Sequence, residues 1–113
     1  MKKQNLADSV VEFVLLQNDE ELAALTVKRI ANHFDVNPSY LSRRFMMDKK
    51  ISLGDLILRV KIFRSTLILR ENKDLTINEV ARKMGFCTPG YFINVFKKYF
   101  GTSPGKYREC VRD

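Results

Sequence analysis

The chain has 113 residues, of which 45% are hydrophobic and 29% charged, and its 20 Lys and Arg against 13 Asp and Glu give a net charge of +7. The length fits one folded domain, or two very small ones sharing a core; the charge suggests a polyanionic partner, either nucleic acid or an anionic membrane surface, and the hydrophobic fraction argues against a disordered chain. No apolar run approaches the roughly 18 residues of a membrane span, and with two Cys and one His both a disulfide framework and a structural zinc site lack their usual ligands. Residues 5–17 place Leu6, Val10, Phe13 and Val14 at helical spacing, and Asn18 to Glu21 interrupts that pattern. Thr26 precedes a periodic stretch in which Val27, Ile30, Ala31 and Phe34 share a face. Asn37-Pro38 is an N-cap followed by Pro at the first helical position, and opens a helix carrying Tyr40, Leu41, Phe45 and Met46. Ser52 and Asp55 have capping-box spacing ahead of the longest helix, about 53–71, whose expected buried stripe is Leu56, Val60, Phe63, Leu67 and Ile68. Thr76 and Glu79 form a second capping box, and Gly85 suits a left-handed residue beyond the end of that helix. Thr88-Pro89 begins a helix that Gly101 ends, and Ser103-Pro104 begins a last short one. The expected fold is all-α, with seven helices and no strand.

An internal repeat organises these elements. Leu25 to Ala31, LTVKRIA, recurs as LTINEVA at 75–81, an offset of 50. Pro38, Ser39, Tyr40, Leu41 and Phe45 then recur as Pro89, Gly90, Tyr91, Phe92 and Phe96, an offset of 51. Two copies of one helical unit thus differ by a single residue in the turn. Each copy has a capped first helix with a small residue, Ala31 or Ala81, where the second helix must approach closely. A turn follows, carrying Asp35 or Gly85, and then a second helix with Leu41 and Phe45, or Phe92 and Phe96, on its inner face. That is the make-up of a helix-turn-helix.

The charge follows the repeat. Residues 1–24 hold two basic and five acidic side chains, net −3, whereas 25–113 hold 18 basic and eight acidic, net +10. The acidic first segment is therefore the helix least suited to face DNA. Opposite Leu41 and Phe45 the first copy exposes Ser39, Ser42, Arg43, Arg44 and Lys49; opposite Phe92 and Phe96 the second exposes Gly90, Asn94, Lys97 and Lys98. Arg and Asn suit bidentate contacts with guanine and adenine in the major groove, while Lys side chains and helix N-termini suit phosphates.

The stretch GFCTPGYFINVFKKYFGTSPGKYR (85–108) resembles the C-terminal signature of AraC/XylS-type transcription regulators, matching it at Gly85, Phe86, Tyr91, Phe92, Phe96, Lys97, Lys98, Gly101, Ser103, Pro104, Tyr107 and Arg108. The first copy fits through Ile30-Ala31, Tyr40 to Arg43, Phe45, Ile51-Ser52 and Arg59-Val60, so the likeness runs over about 6–109. It implies one DNA-binding domain over 1–113. A first helix-turn-helix subdomain occupies about 5–50, a linking helix 52–72 and a second subdomain 75–110. Two recognition helices, about 38–48 and 89–100, would enter successive major-groove segments of double-stranded DNA. Carried over by position, Ser39, Ser42 and Arg43 become base readers in the first helix. Gly90 and Asn94 take that role in the second, with Thr88 and Ile93 as further candidates. Thr26, Arg44, Thr76, Lys97 and Lys98 become phosphate contacts. Members of the family recruit RNA polymerase, which favours activation over repression, and the setting is a bacterial cytoplasm at the nucleoid. Without the effector and dimerisation domain that many relatives carry N-terminally, the expectation is no small-molecule ligand, no cofactor and a monomer. Two departures stand out: Lys50 occupies the place of the usual Gly after the first recognition helix, and Pro89-Gly90 replaces a Ser-containing pair, leaving Asn94 as the main polar reader of the second helix.

The remaining residues have structural roles in this reading. Phe34, Phe45, Met84, Phe86, Phe92 and Phe96 are expected in the core, His33 on a helix surface, and Glu79 paired with Arg82 and Lys83. Cys87 has no evident redox or metal partner. No nucleophile–base pair, phosphate loop or paired carboxylates appear, so no enzyme is expected. The alternative is an all-helical adaptor whose basic surface binds an acidic protein or a membrane.

Overall fold

The structure is a computed structural model that describes residues 4–111; Lys2, Lys3, Arg112 and Asp113, counted in the charges above, lie outside them. Eight helices and no strand occur among the described residues: α1 (Leu6–Leu16), α2 (Asp19–Ala23), α3 (Val27–His33), α4 (Pro38–Lys49), α5 (Leu53–Glu71), α6 (Ile77–Lys83), α7 (Pro89–Phe100) and α8 (Pro104–Cys110). The eighth helix is α2, placed where the sequence pattern predicted only a break. Its five residues are too few to show a period, and it forms because both ends of a capping box are made. Asn18 Oδ1 accepts from Glu21 N–H at 2.7 Å, and Glu21 Oε1 accepts from Asn18 N–H at 3.0 Å. Leu22 then anchors it in the core.

The chain divides into two compact units, up to Val60 and from Lys61, with α5 contributing to both. In the first, α4 packs against α1 and α3, burying Leu41 and Phe45 with Val10, Val14, Leu22, Ile30 and Ala31. An ion pair between Lys49 and Asp8 also ties α4 to α1. In the second, α7 packs against α6 and α8. There Phe86, Phe92 and Phe96 are buried in an aromatic ladder that ends on half-buried Tyr107: ring centroids lie 5.0 Å apart for Phe86–Phe92, 5.8 Å for Phe92–Phe96 and 5.4 Å for Phe96–Tyr107. Phe34 departs from its expected core position. It is half-buried, in an edge contact with Phe13 at 5.6 Å, while Phe13 also stacks on exposed His33 at 4.2 Å.

The stripe expected on α5 is only partly correct. Val60 and Ile68 are buried, but Leu56 is intermediate and Phe63 and Leu67 stand 62% and 45% exposed. The buried positions are Leu53, Ile57 and Val60 in the first unit, and Ile62, Ser65, Thr66, Ile68 and Leu69 in the second. One continuous 3.6-residue period cannot describe a helix that serves two cores, because the buried face changes phase between Val60 and Ile62. Ser65 and Thr66 are tolerated there because their hydroxyls donate to the carbonyls of Ile62 and Phe63 at 2.5 and 2.6 Å.

Corresponding turns in the two units share one geometry. Asp35 (φ 55°) and Gly85 (φ 79°) both lie in the left-handed region. Val36 N–H donates to Ala31 O and Phe86 N–H to Ala81 O, each at 3.0 Å, while Asp35 N–H and Gly85 N–H donate to Asn32 O and Arg82 O at 3.2 and 3.0 Å. Both are complete Schellman closures. Beyond them Asn37 caps α4 through the N–H groups of Ser39 and Tyr40, and Thr88 caps α7 through that of Tyr91. The additional residue of the second copy is thus Cys87, between closure and cap. The sequence gives no other sign of the tie that Arg108 makes: its guanidinium donates to the carbonyls of Leu69, Asn72 and Leu75 at 3.2, 3.3 and 2.6 Å, joining α8 to the α5–α6 connection with charge-assisted bonds.

Lys50 adopts the conformation that glycine holds in the second unit, φ 64° against 74° at Gly101, and its N–H donates to Met46 O at 2.9 Å where Gly101 donates to Lys97 O at 2.8 Å. The exit turn is therefore unchanged in form, and the side chain bears the left-handed cost. Lys50→Gly is expected to raise stability by about 0.5–1 kcal/mol, the relief of left-handed strain less the glycine entropy. Urea unfolding would register this as a higher midpoint at constant slope; a lower midpoint would show that Lys50 is not strained.

Candidate nucleic-acid interface

The second helices of the two units carry the candidate base readers, and their exposed faces follow from which residues the cores take. On α4, Leu41 and Phe45 are buried, which turns Ser39, Ser42, Arg43, Met46 and Met47 to solvent. Ser42, Arg43 and the Ser39 hydroxyl have no hydrogen-bond or ion-pair partner among the described residues, so they are available to a ligand at no cost in broken contacts. Arg44 differs, because its Nε donates to Asp48 across one turn at 3.2 Å. Exposed pairs of this kind contribute little, so a phosphate can displace the carboxylate. Tyr40, Arg43, Arg44 and Met47 line a shallow concavity along this face.

On α7, burial of Phe92, Val95 and Phe96 leaves Gly90, Asn94, Lys97 and Lys98 exposed, with the Asn94 amide unpartnered among the described residues. Ile93 lies at the flank and is half-buried. Thr88 is exposed, and its hydroxyl oxygen accepts from Tyr91 N–H at 3.1 Å in the cap, which leaves its proton and one lone pair for a ligand. A Cβ at Gly90 would meet nothing within 4 Å, so packing does not require glycine there.

The two threonine caps are not equivalent. Thr26 accepts from Arg29 N–H at 3.1 Å, and the first turn of α3 carries Lys28 and Arg29 with no acidic residue. Thr76 accepts from Glu79 N–H at 3.1 Å and donates its own N–H to Glu79 Oε1 at 2.9 Å, which sets a carboxylate beside the start of α6. The first helix start is electrostatically open to a phosphate, and the second is partly occupied by its own anion. Glu79 is thus committed to its cap more than to the pairing with Arg82 and Lys83 expected from spacing. The Thr76 N–H holds its carboxyl below the usual carboxylate range, Arg82 adding least. Cys87 is exposed, with Lys61 as an electrostatic neighbour. Burial pushes the Lys61 ammonium down, and the charge Cys87 carries when ionised opposes that shift. Among the described residues no group of His, Cys, Asp and Glu could hold a metal ion, and no helix is long and apolar enough to cross a membrane.

Because the folded pKa of Glu79 is lowered, its cap stabilises the fold fully above the unfolded carboxyl value of about 4.3 and loses that effect as pH falls through the folded value. Glu79→Gln should therefore be less stable than the parent at pH 7 and approach it in the acid range. Urea unfolding at pH 7 and about pH 3 checks the sign; a gap that widens in acid would contradict it.

The chain has known relatives. A family described as a helix-turn-helix domain matches residues 30–109. The chain is 35% identical over 91 residues to the Msm operon regulatory protein of Streptococcus mutans, covering 80% of this chain and 32% of that one. It is 30% identical over 107 residues to the probable transcription factor PqrA of Proteus vulgaris, covering 92% and 87% of the two chains. It thus spans about a third of the first relative's length and most of the second's. Among solved structures, the C-terminal domain of AraT, a response regulator from Geobacillus stearothermophilus, superposes with a TM-score of 0.80 at 26% identity, over 100% of this chain and 91% of that one.

Proposed function

Because the chain belongs to the AraC-type family of helix-turn-helix transcription regulators, we propose that α4 and α7 are its recognition helices, each inserted into a major-groove segment of one DNA site. That it is a sequence-specific DNA-binding regulator and no enzyme follows from the family itself. The observation that carries the finer reading is the unpartnered row of Ser39, Ser42 and Arg43, held outward by the burial of Leu41 and Phe45. Arg43 offers a guanine its fork, and the two serines offer short donors and acceptors.

Division of labour follows from the side chains. On α7 Gly90 offers the bases nothing and Thr88 little, so Asn94 is its principal reader, with Ile93 at the edge. Lys97 and Lys98 in the last turn of α7, with Thr26 and Arg44, bind phosphates; Thr76 does so less well beside Glu79. The first unit then supplies most of the discrimination, and the second supplies more of the salt-sensitive affinity. One chain carries both reading helices, which suits binding as a monomer. Recruitment of RNA polymerase, and hence activation, is the regulatory outcome that fits the family.

Arg43→Ala is expected to weaken binding to the preferred duplex by about 1–3 kcal/mol while leaving affinity for a scrambled duplex nearly unchanged. Titration of both duplexes at two salt concentrations tests this. Equal losses on both would show that Arg43 holds phosphate and does not read a base.

A further inference from the structure

The repeat aligns Met46 and Met47 of α4 with Lys97 and Lys98 of α7. Lysine at such positions is a phosphate contact; methionine cannot be. Yet Met46 and Met47 are 46% and 64% exposed, and both lie on the side of α4 away from Leu41 and Phe45. Met46 is four residues beyond Ser42 and three beyond Arg43, and Met47 is four beyond Arg43, so both continue the reading face by one turn. Met47 also walls the concavity it shares with Tyr40, Arg43 and Arg44, so an apolar patch is set between two guanidinium groups. We propose that Met46 and Met47 form an apolar reader for thymine, receiving C5-methyl groups in the major groove next to the bases that Ser42 and Arg43 contact.

The flanking Arg43 and Arg44 favour a polyanion as the occupant, and the thymine methyl is the apolar group that a polyanionic duplex presents in its major groove. A helical turn of about 5.4 Å carries the methionines roughly one to two base steps beyond Arg43. An unbranched thioether with free rotamers adapts to a methyl whose position shifts with local groove shape. The consequence is an unequal pair of heads. The first exchanges the second's two phosphate contacts for sequence discrimination at the same helical positions, with less general affinity.

This inference rests on the reading of α4 as a recognition helix, and the test separates the two. A preferred duplex is selected from a random pool, and each thymine is replaced in turn by deoxyuridine, which lacks only the methyl. For the parent protein, at least one replacement is expected to weaken binding about three- to fivefold, the transfer of one methyl. The double variant Met46→Ala/Met47→Ala should bind the thymine and deoxyuridine duplexes equally, and Met46→Leu/Met47→Leu should restore the difference. Met46→Lys/Met47→Lys should abolish it too and steepen the salt dependence by nearly two charges. A parent that keeps its sequence preference yet is indifferent to every deoxyuridine overturns the thymine reader and leaves α4 as a reading helix. So does an alanine variant that still separates the two duplexes. A parent with no sequence preference overturns both.

Discussion

In each unit the direction of the second helix is set by one residue with positive φ and by the two backbone hydrogen bonds that close around it, Val36 and Asp35 in one copy and Phe86 and Gly85 in the other. The closure fixes where the chain leaves the first helix, and the cap at Asn37 or Thr88 fixes where the next begins. Between those points there is room for one or two residues, so little freedom remains in the angle between the helices. Ala31 and Ala81 then admit the second helix at close range, and Leu41 and Phe45, or Phe92 and Phe96, lock its rotation. Which side chains face outward is a consequence of that lock. Ser39, Ser42 and Arg43 are presented because their neighbours on the helix are taken by the core.

The duplication preserves this frame and varies what is mounted on it. An aspartate serves in one closure and a glycine in the other, and a lysine ends α4 in the conformation that glycine gives α7. The cores differ more. Aliphatic residues surround Phe45 in the first, whereas the second is built as an aromatic ladder. The outward faces differ most, with Ser, Arg and Met on α4 against Gly, Asn and Lys on α7. Between the two copies, then, the turns differ least, the cores more and the outward faces of α4 and α7 most.

Much of this was legible in the sequence because it is local. Caps such as Thr26, Asn37, Thr76 and Ser103 act on backbone groups two or three residues away, and repetition at offsets of 50 and 51 betrayed the two copies. The exposed face of α4 is legible for the same reason, since Leu41 and Phe45 fix it by spacing. Features that depend on distant partners were not. The phase of α5 depends on its serving two cores, so a single period puts Phe63 and Leu67 inside when both are exposed. Arg108 reaches backbone carbonyls more than 30 residues away, which no periodicity reports. Helix α2 is too short to have a period at all. The electrostatic difference between Thr26 and Thr76 needed the observed bonds of Glu79, because spacing alone allowed it to pair with Arg82.

The proposed unequal reading of DNA by one scaffold used twice is open to a single experiment. Selection of bound duplexes from a random pool by the parent protein, set beside the same selection by Asn94→Ala, tests it most directly. Unequal reading predicts one strongly specified block of base pairs that survives the substitution, and a second, weakly specified block that disappears with it. Two equally specified blocks, or loss of the strong block on removal of Asn94, would contradict it.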